Sequence, residues 1–117
     1  MTRFIHITDL HVSHPDAGDT LHSDTPATLR RVVAAVNAMT PPPAFVVASG
    51  DLTNRGPAAS YRLVQETFAD LRAPLVLALG NHDKREGFNE VYSGGASDCP
   101  LYHDDVLGGL HVITLDT

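Results

Sequence analysis

The sequence predicts an α/β fold, with a parallel βαβαβ sheet followed by a β-hairpin. Short apolar runs alternate with amphipathic helical patterns, prolines and glycines separate them, and a Gly-Gly pair divides the last two strand-like runs. Strands that alternate with helices form parallel sheets, whose binding sites lie beyond the carboxyl ends of the strands. We therefore expect a functional site at that edge of the sheet.

Five runs predict the strands, because each is apolar or β-branched and each is followed by glycine or polar residues. Gly108 and Gly109 lie between the last two runs, which is a typical hairpin signature. The predicted strands are residues 3–8, 44–48, 75–79, 101–106 and 110–115.

Helical spacing of apolar residues predicts the helices between these strands. Thr25 as the cap and Pro26 behind it predict the start of the first helix, which the prolines at 41–43 close. Pro57 predicts the start of the second helix, and a short third helix is expected over 84–92. The buried stripe of the second helix is expected to consist of Tyr61, Val64, Phe68 and Leu71.

Length and charge narrow the class of protein. At 117 residues the chain fits one domain, and its net charge of -6 with scattered basic residues argues against a nucleic-acid binder. No apolar run approaches the roughly 18 residues that span a bilayer. Cys99 is the single cysteine, so no intramolecular disulfide can form, and the cytoplasm is the expected compartment.

Polar residues of metal-ligand type follow each of the first three predicted strands. Carboxylates, a neutral imidazole and an amide oxygen at one edge suit Mn, Fe, Zn or Co. A carboxylate on the central loop could be shared by two such ions, with a hydroxide between them as nucleophile. These residues are Asp9, His11, Asp51, Asn81, His82 and Asp83.

Each cluster alone also has a plain structural explanation. Asp9 and His11 could be a loop-capping acid and a solvated histidine, and Gly50-Asp51 a simple turn. Asp83 could be the N-cap of the helix that begins near Lys84. The conjunction of three clusters at three successive strand ends favours a metal site instead.

The pattern Asp9-x-His11, Gly50-Asp51, Gly80-Asn81-His82-Asp83 resembles the calcineurin-like metallophosphoesterase superfamily over the whole chain. A narrower likeness is to the bacterial class III 3′,5′-cyclic nucleotide phosphodiesterases, and mycobacterial members above all. It is carried by Gly50-Asp51-Leu52-Thr53, Gly56, Tyr61 and Leu115-Asp116-Thr117.

The resemblance implies an α/β sandwich with two divalent cations. Asp9 and His11 would bind the first ion, Asp51 would bridge both, and Asn81 would bind the second. His82 would point at the phosphate of the substrate, which it and Asn81 would bind, and Asp83 would orient His82. His82 and Asp83 are thus the expected catalytic pair.

One departure from the family is clear. Family members continue with a further histidine and a Gly-His-x-His segment, and neither occurs here. His103 and His111 are predicted to be strand residues rather than displaced ligands, and His14 and His22 lie on a loop that could border the substrate cleft. Residues 1–117 are therefore expected to be the N-terminal portion of the domain, inactive in isolation and poorly stable or associated as a homo-oligomer.

The leading hypothesis is a metal-dependent hydrolase of a small phosphodiester, such as cyclic AMP. One alternative keeps hydrolysis but changes the substrate to a glycerophosphodiester or a nucleotide-linked compound. Another is a non-catalytic binding module on the same fold, against which the intact ligand residues argue. Neither a nucleic-acid partner nor a membrane is expected.

Overall fold

The computed structural model describes residues 2–14, 24–95 and 97–116. His22 and Thr117, both named above, lie outside the described residues. The elements, in chain order, are β1 (Ile5–Ile7), α1 (Thr25–Asn37), β2 (Val46–Ser49), α2 (Ala58–Phe68), β3 (Leu75–Ala78), α3 (Arg85–Tyr92), β4 (His103–Leu107) and β5 (Leu110–Thr114).

The first three strands form one parallel sheet in the order β1-β2-β3, which confirms the predicted βαβαβ arrangement. Ile7 pairs with Ala48, and Ala48 pairs with Leu77. Since parallel strands end at the same edge, the loops after all three strands leave the sheet side by side.

The start of α1 differs from the prediction by one residue. Asp24, not Thr25, is the N-cap, and its carboxylate accepts a hydrogen bond of 3.0 Å from the amide of Ala27. The hydroxyl of Thr25 is engaged elsewhere, because it accepts a bond of 3.2 Å from the amide of Ser13. The helix also ends at Asn37, before the proline run reaches it.

The core lies between the sheet and the first two helices. Tyr61, Val64 and Phe68 of α2 are buried there, as predicted, and Leu29 and Val33 of α1 join them. Leu71 was expected to continue the helical stripe, but it lies beyond the end of α2 and is only partly buried against the same core. Within the described ranges, no helix is both long and apolar enough to cross a membrane.

The β4-β5 hairpin turns at Gly108 and Gly109, which both have positive φ, as a two-residue turn of this kind requires. His103 and His111 lie in these strands, as predicted. The His103 Nε2 atom lies 3.0 Å from the Leu77 carbonyl oxygen of β3. Several large apolar side chains in and next to the hairpin are exposed, namely Tyr102, Val106, Leu110, Ile113 and Leu115.

An ion pair ties α3 to the end of β5. Arg85 Nε and Nη2 donate to the two carboxylate oxygens of Asp116 at 3.0 and 3.2 Å, and the amide of Leu101 donates to the same carboxylate at 2.8 Å. The hydrogen bonds from Arg85 hold the pKa of Asp116 below its ordinary value. The charged form of Asp116 therefore stabilises the folded chain.

This pair predicts a pH dependence of stability. Because the folded pKa of Asp116 is depressed, its contribution is present above the ordinary carboxyl pKa of about 4 and is lost as pH falls through the folded value. Urea unfolding at neutral and acid pH should show a lower neutral stability for Asp116→Asn and a smaller further loss in acid than for the wild type. Asp98→Asn, which alters the exposed carboxylate 3.9 Å from Arg85, should have a smaller effect. Equal acid losses in wild type and Asp116→Asn would contradict the prediction.

Candidate metal centre

The loops after β1, β2 and β3 carry the predicted site and are joined by backbone hydrogen bonds. The amide of Asp9 donates to the Gly50 carbonyl at 3.2 Å, and the amide of His11 donates to the Asp51 carbonyl at 2.9 Å. The amide of Gly50 in turn donates to Ala78 of β3 at 2.8 Å. The main chain thus fixes the first loop against the second and the second against β3.

Asp9, His11 and Asp51 converge, with one potential ligand atom of each within 4.8 Å of the others. His11 Nε2 lies 3.8 Å from Asp9 Oδ1 and 3.7 Å from Asp51 Oδ2. Two ligands each about 2.1 Å from one ion and about 120° apart are separated by about 3.6 Å, so these side chains fit a shared divalent cation. Their nitrogen and oxygen atoms suit the Mn, Fe, Zn and Co class.

The backbone at these three residues is unusual. Asp9, His11 and Asp51 have φ values of 57°, 45° and 53°, and they are the non-glycine residues with positive φ within the described ranges. Such conformations cost about 1 kcal/mol or more each and concentrate at functional sites. The strain therefore supports a site that the surrounding hydrogen bonds hold in place.

The β3 loop approaches the β2 loop closely at Gly80. A methyl group added to Gly80 would collide with the amide and carboxylate of Asp51 and would lie 2.8 Å from the Gly50 Cα atom. Backbone atoms cannot move aside as the end of a flexible side chain can. Glycine at this position is therefore needed for the two loops to meet.

Asn81 and His82 follow Gly80 on the exposed side of this junction. The amide of His82 donates to Asp51 Oδ1 at 2.9 Å, which places the segment directly beside the ligand cluster. Asn81 lines a polar cleft of about 260 Å³ together with Asp83, Lys84 and Arg85. The role of the Asn81 side chain as a ligand remains a prediction.

The His82 ring packs edge-on against the His11 ring, with centroids 4.9 Å apart and an interplanar angle of 86°. Its Nδ1 atom lies 2.8 Å from the Asn54 carbonyl oxygen. A carbonyl oxygen only accepts, so Nδ1 must carry the proton that makes this bond. In the neutral ring, Nε2 is then the atom that can accept a proton.

Asp83 does not occupy the place expected of it. Within the described residues its carboxylate makes no hydrogen bond to His82, whose ring is oriented by the Asn54 carbonyl instead. Asp83 is not the N-cap of α3 either, because that position is Lys84, without a side-chain capping bond. The carboxylate is satisfied by donors from the β2 loop, the β3 loop and α2. These donors are the amides of Leu52, Thr53 and Gly80 and the hydroxyls of Thr53 and Tyr61.

Two groups that form hydrogen bonds in this region, the Asn54 carbonyl and the Tyr61 hydroxyl, were not predicted from the sequence. The Asn54 carbonyl belongs to the main chain and carries no sequence signal. Tyr61 was placed in the buried stripe of α2, which is correct, but its hydroxyl also donates to Asp83 at 2.8 Å. Two other histidines lie outside the cluster: His6 of β1 pairs with the Ser49 hydroxyl, and the amide of His14 donates to the Ser60 hydroxyl.

The parallel sheet and the cluster at its carboxyl edge define an α/β domain with a candidate divalent-metal site. The sequence model of the calcineurin-like phosphoesterases matches residues 2–115. The chain belongs to the calcineurin-like phosphoesterase family.

Three bacterial phosphodiesterases are similar in sequence to this chain. A probable cyclic nucleotide phosphodiesterase of Rhodopseudomonas palustris is 35% identical over 98% of this chain and 42% of its own length. A cAMP/cGMP dual specificity phosphodiesterase of Mycobacterium tuberculosis is 33% identical over 97% of this chain and 37% of its own length. A glycerophosphodiester phosphodiesterase of Enterobacter lignolyticus is 34% identical over 73% of this chain and 31% of its own length. The chain thus spans less than half the length of each of these relatives.

Proposed function

We propose that this chain provides part of the active site of a metal-dependent phosphodiester hydrolase that acts on 3′,5′-cyclic nucleotides. The observation that carries the proposal is the convergence of Asp9, His11 and Asp51 within 4.8 Å at the ends of neighbouring parallel strands. The relatives that match nearly the whole chain are named as cyclic nucleotide phosphodiesterases, which favours that substrate class. The glycerophosphodiesterase relative matches a smaller share of the chain.

Two divalent cations of the Mn, Fe, Zn or Co class are proposed at this site. Asp9 and His11 would hold the first, Asp51 would bridge both, and Asn81 would contribute an amide oxygen to the second. The cations would neutralise the phosphate and lower the pKa of bound water. Asp51 fits the bridging role because Oδ2 faces His11 while Oδ1 faces the β3 loop, where it accepts from the His82 amide.

His82 and Asn81 are proposed to face the phosphodiester from the β3 loop. The Asn54 carbonyl holds the Nδ1 proton of His82 and so presents Nε2 as the reactive nitrogen. In its protonated form His82 would stabilise charge on the phosphate and give its Nε2 proton to the leaving oxygen.

The charge of the chain fits a small anionic substrate better than nucleic acid. With a net charge of -6, the protein would bind an anion through its cations rather than through a basic surface. The cytoplasm is proposed as the compartment, because a single cysteine, Cys99, leaves no intramolecular disulfide to form within this chain.

The test uses the longest natural polypeptide that contains this sequence, reconstituted with Mn²⁺. We expect bound metal by elemental analysis and hydrolysis of cyclic AMP and of the chromogenic diester bis(p-nitrophenyl) phosphate. Glycerophosphocholine, assayed in parallel, should be cleaved with a lower kcat/KM than cyclic AMP.

The outcomes separate the hypotheses. A higher kcat/KM for glycerophosphocholine than for cyclic AMP would overturn the cyclic nucleotide assignment and favour the glycerophosphodiesterase alternative. Less than one equivalent of metal with no diester hydrolysis would overturn the enzyme assignment and favour a non-catalytic module.

A further inference from the structure

The Asp83 carboxylate accepts hydrogen bonds from the β2 loop and the β3 loop, which carry the proposed ligands Asp51 and Asn81. Its Oδ2 atom accepts from the amide of Leu52 at 3.0 Å and from the amide of Gly80 at 2.8 Å. Its Oδ1 atom accepts from the amide and hydroxyl of Thr53 at 3.0 and 3.2 Å. One side chain therefore holds backbone donors from the β2 loop and the β3 loop together.

The donors are the immediate neighbours of the proposed ligands. Leu52 follows Asp51 in the chain, and Gly80 precedes Asn81. Both amides bond to the same oxygen, so the position of Asp83 Oδ2 limits how far Asp51 can move from Asn81. The lack of a side chain at Gly80 lets the two loops come this close.

Tyr61 fixes the carboxylate from the core side. Its hydroxyl donates to Asp83 Oδ1 at 2.8 Å and accepts from the amide of Lys84 at 2.9 Å. The Tyr61 ring is fully buried and packs edge-on against Phe88 of α3. Burial, together with the nearby charge of Asp83, raises the pKa of Tyr61 well above its ordinary value, so the hydroxyl stays a donor. Asp83 is thus anchored to the packed core between α2 and α3.

We propose that Asp83, held by Tyr61, is a positioning residue that sets the spacing between Asp51 and Asn81 and thereby the metal affinity of the site. It acts without touching metal or substrate. The inference rests on the proposed function, because it assumes that Asp51 and Asn81 are ligands. It replaces the expected role of Asp83 in orienting His82.

The test compares Asp83→Asn, Tyr61→Phe and the control Asp116→Asn in the longest natural polypeptide. Asparagine at 83 would turn an amide N–H toward backbone or hydroxyl donors and so break the junction, whereas Tyr61→Phe removes one hydroxyl and leaves every charge in place. Asp116→Asn likewise alters a carboxylate that accepts several hydrogen bonds, but its partners are Arg85 and Leu101. Circular dichroism establishes the temperature at which each variant is folded.

Co²⁺ titration followed by visible absorption gives the readout, since the Co²⁺ spectrum reports coordination geometry as well as affinity. We expect both Asp83→Asn and Tyr61→Phe to weaken Co²⁺ binding by about 10- to 100-fold and to change the spectrum. Asp116→Asn should lower the melting temperature but keep wild-type affinity and spectrum. A response of Tyr61→Phe excludes a simple charge effect of Asp83, and this variant decides the matter if Asp83→Asn does not fold.

Wild-type affinity and spectrum in the folded variants would overturn the positioning role, even if their melting temperatures fell. A wild-type protein that binds no Co²⁺ would instead defeat the proposed function. In that case, hydrogen exchange of the metal-free protein tests the junction itself. Faster exchange at the Leu52 and Gly80 amides in both variants would support the loop junction, and unchanged exchange would overturn it.

Discussion

Replacing Asp51 by asparagine is expected to lower metal affinity by more than about 100-fold and to abolish diester hydrolysis. The loss of a partner that merely orients a ligand costs about 10- to 100-fold in affinity, and Asp51 is proposed as a direct ligand of both cations. Asparagine keeps the shape of the side chain and an oxygen that can accept from the His82 amide. The main effect should therefore come from the lost charge rather than from a displaced loop.

Metal content after dialysis and the rate of cyclic AMP hydrolysis measure this effect. Asp104→Asn is a matched control, because it removes one negative charge from an exposed position on the hairpin. The control should retain metal and activity. If Asp51→Asn retained both metal and activity, Asp51 would not be the bridging ligand, and the two-cation assignment would be wrong.

The sequence predicted the edge of the sheet at which the candidate metal centre lies, because the alternation of apolar runs and polar residues carries that information. Buried parallel strands appear as short apolar runs, and the polar residues that follow them must emerge at one edge. Asp9, His11 and Asp51 were named on this basis, and the structure brings their potential ligand atoms together. No knowledge of side-chain contacts was needed.

The contacts of Asp83 could not be predicted in the same way. Its hydrogen-bond donors come from residues between 3 and 31 positions away along the chain, and most of them are backbone amides. Every residue except proline carries the same backbone amide, so a sequence motif cannot indicate which amide will donate. The two predicted roles, orienting His82 and capping α3, were based on residues close to Asp83 in the sequence. Neither role matches the contacts in the structure.

The backbone conformation at the candidate metal centre could not be predicted from the sequence either. The positive φ values of Asp9, His11 and Asp51 occur at residue types that tolerate that region better than most, so composition is compatible with them but does not demand them. The shift of the α1 cap from Thr25 to Asp24 is similar, since both residue types cap helices well. In the structure the Thr25 hydroxyl accepts a hydrogen bond from the amide of Ser13, and Asp24 caps the helix instead.

Replacing His82 by asparagine is expected to reduce kcat for cyclic AMP by about 100- to 10,000-fold, the usual contribution of a positioned acid or base. The asparagine amide can still donate to the Asn54 carbonyl, as Nδ1 does now, but it has no proton to give at the position of Nε2. Cyclic AMP expels an alkoxide, which needs a proton, whereas bis(p-nitrophenyl) phosphate expels a stable phenolate. The loss should therefore be larger for cyclic AMP than for the chromogenic diester.

Steady-state kinetics on both substrates, with Mn²⁺ content measured in parallel, check this prediction. His111→Asn is the matched control, since His111 is an exposed hairpin residue paired with Asp104, and it should leave both rates unchanged. Equal losses on the two diesters, with metal retained, would assign His82 to stabilising charge on the phosphate instead of to proton transfer. Unchanged rates on both would show that the nitrogen presented by the Asn54 carbonyl does not face the substrate at all, and the orientation proposed for the phosphodiester would have to be abandoned.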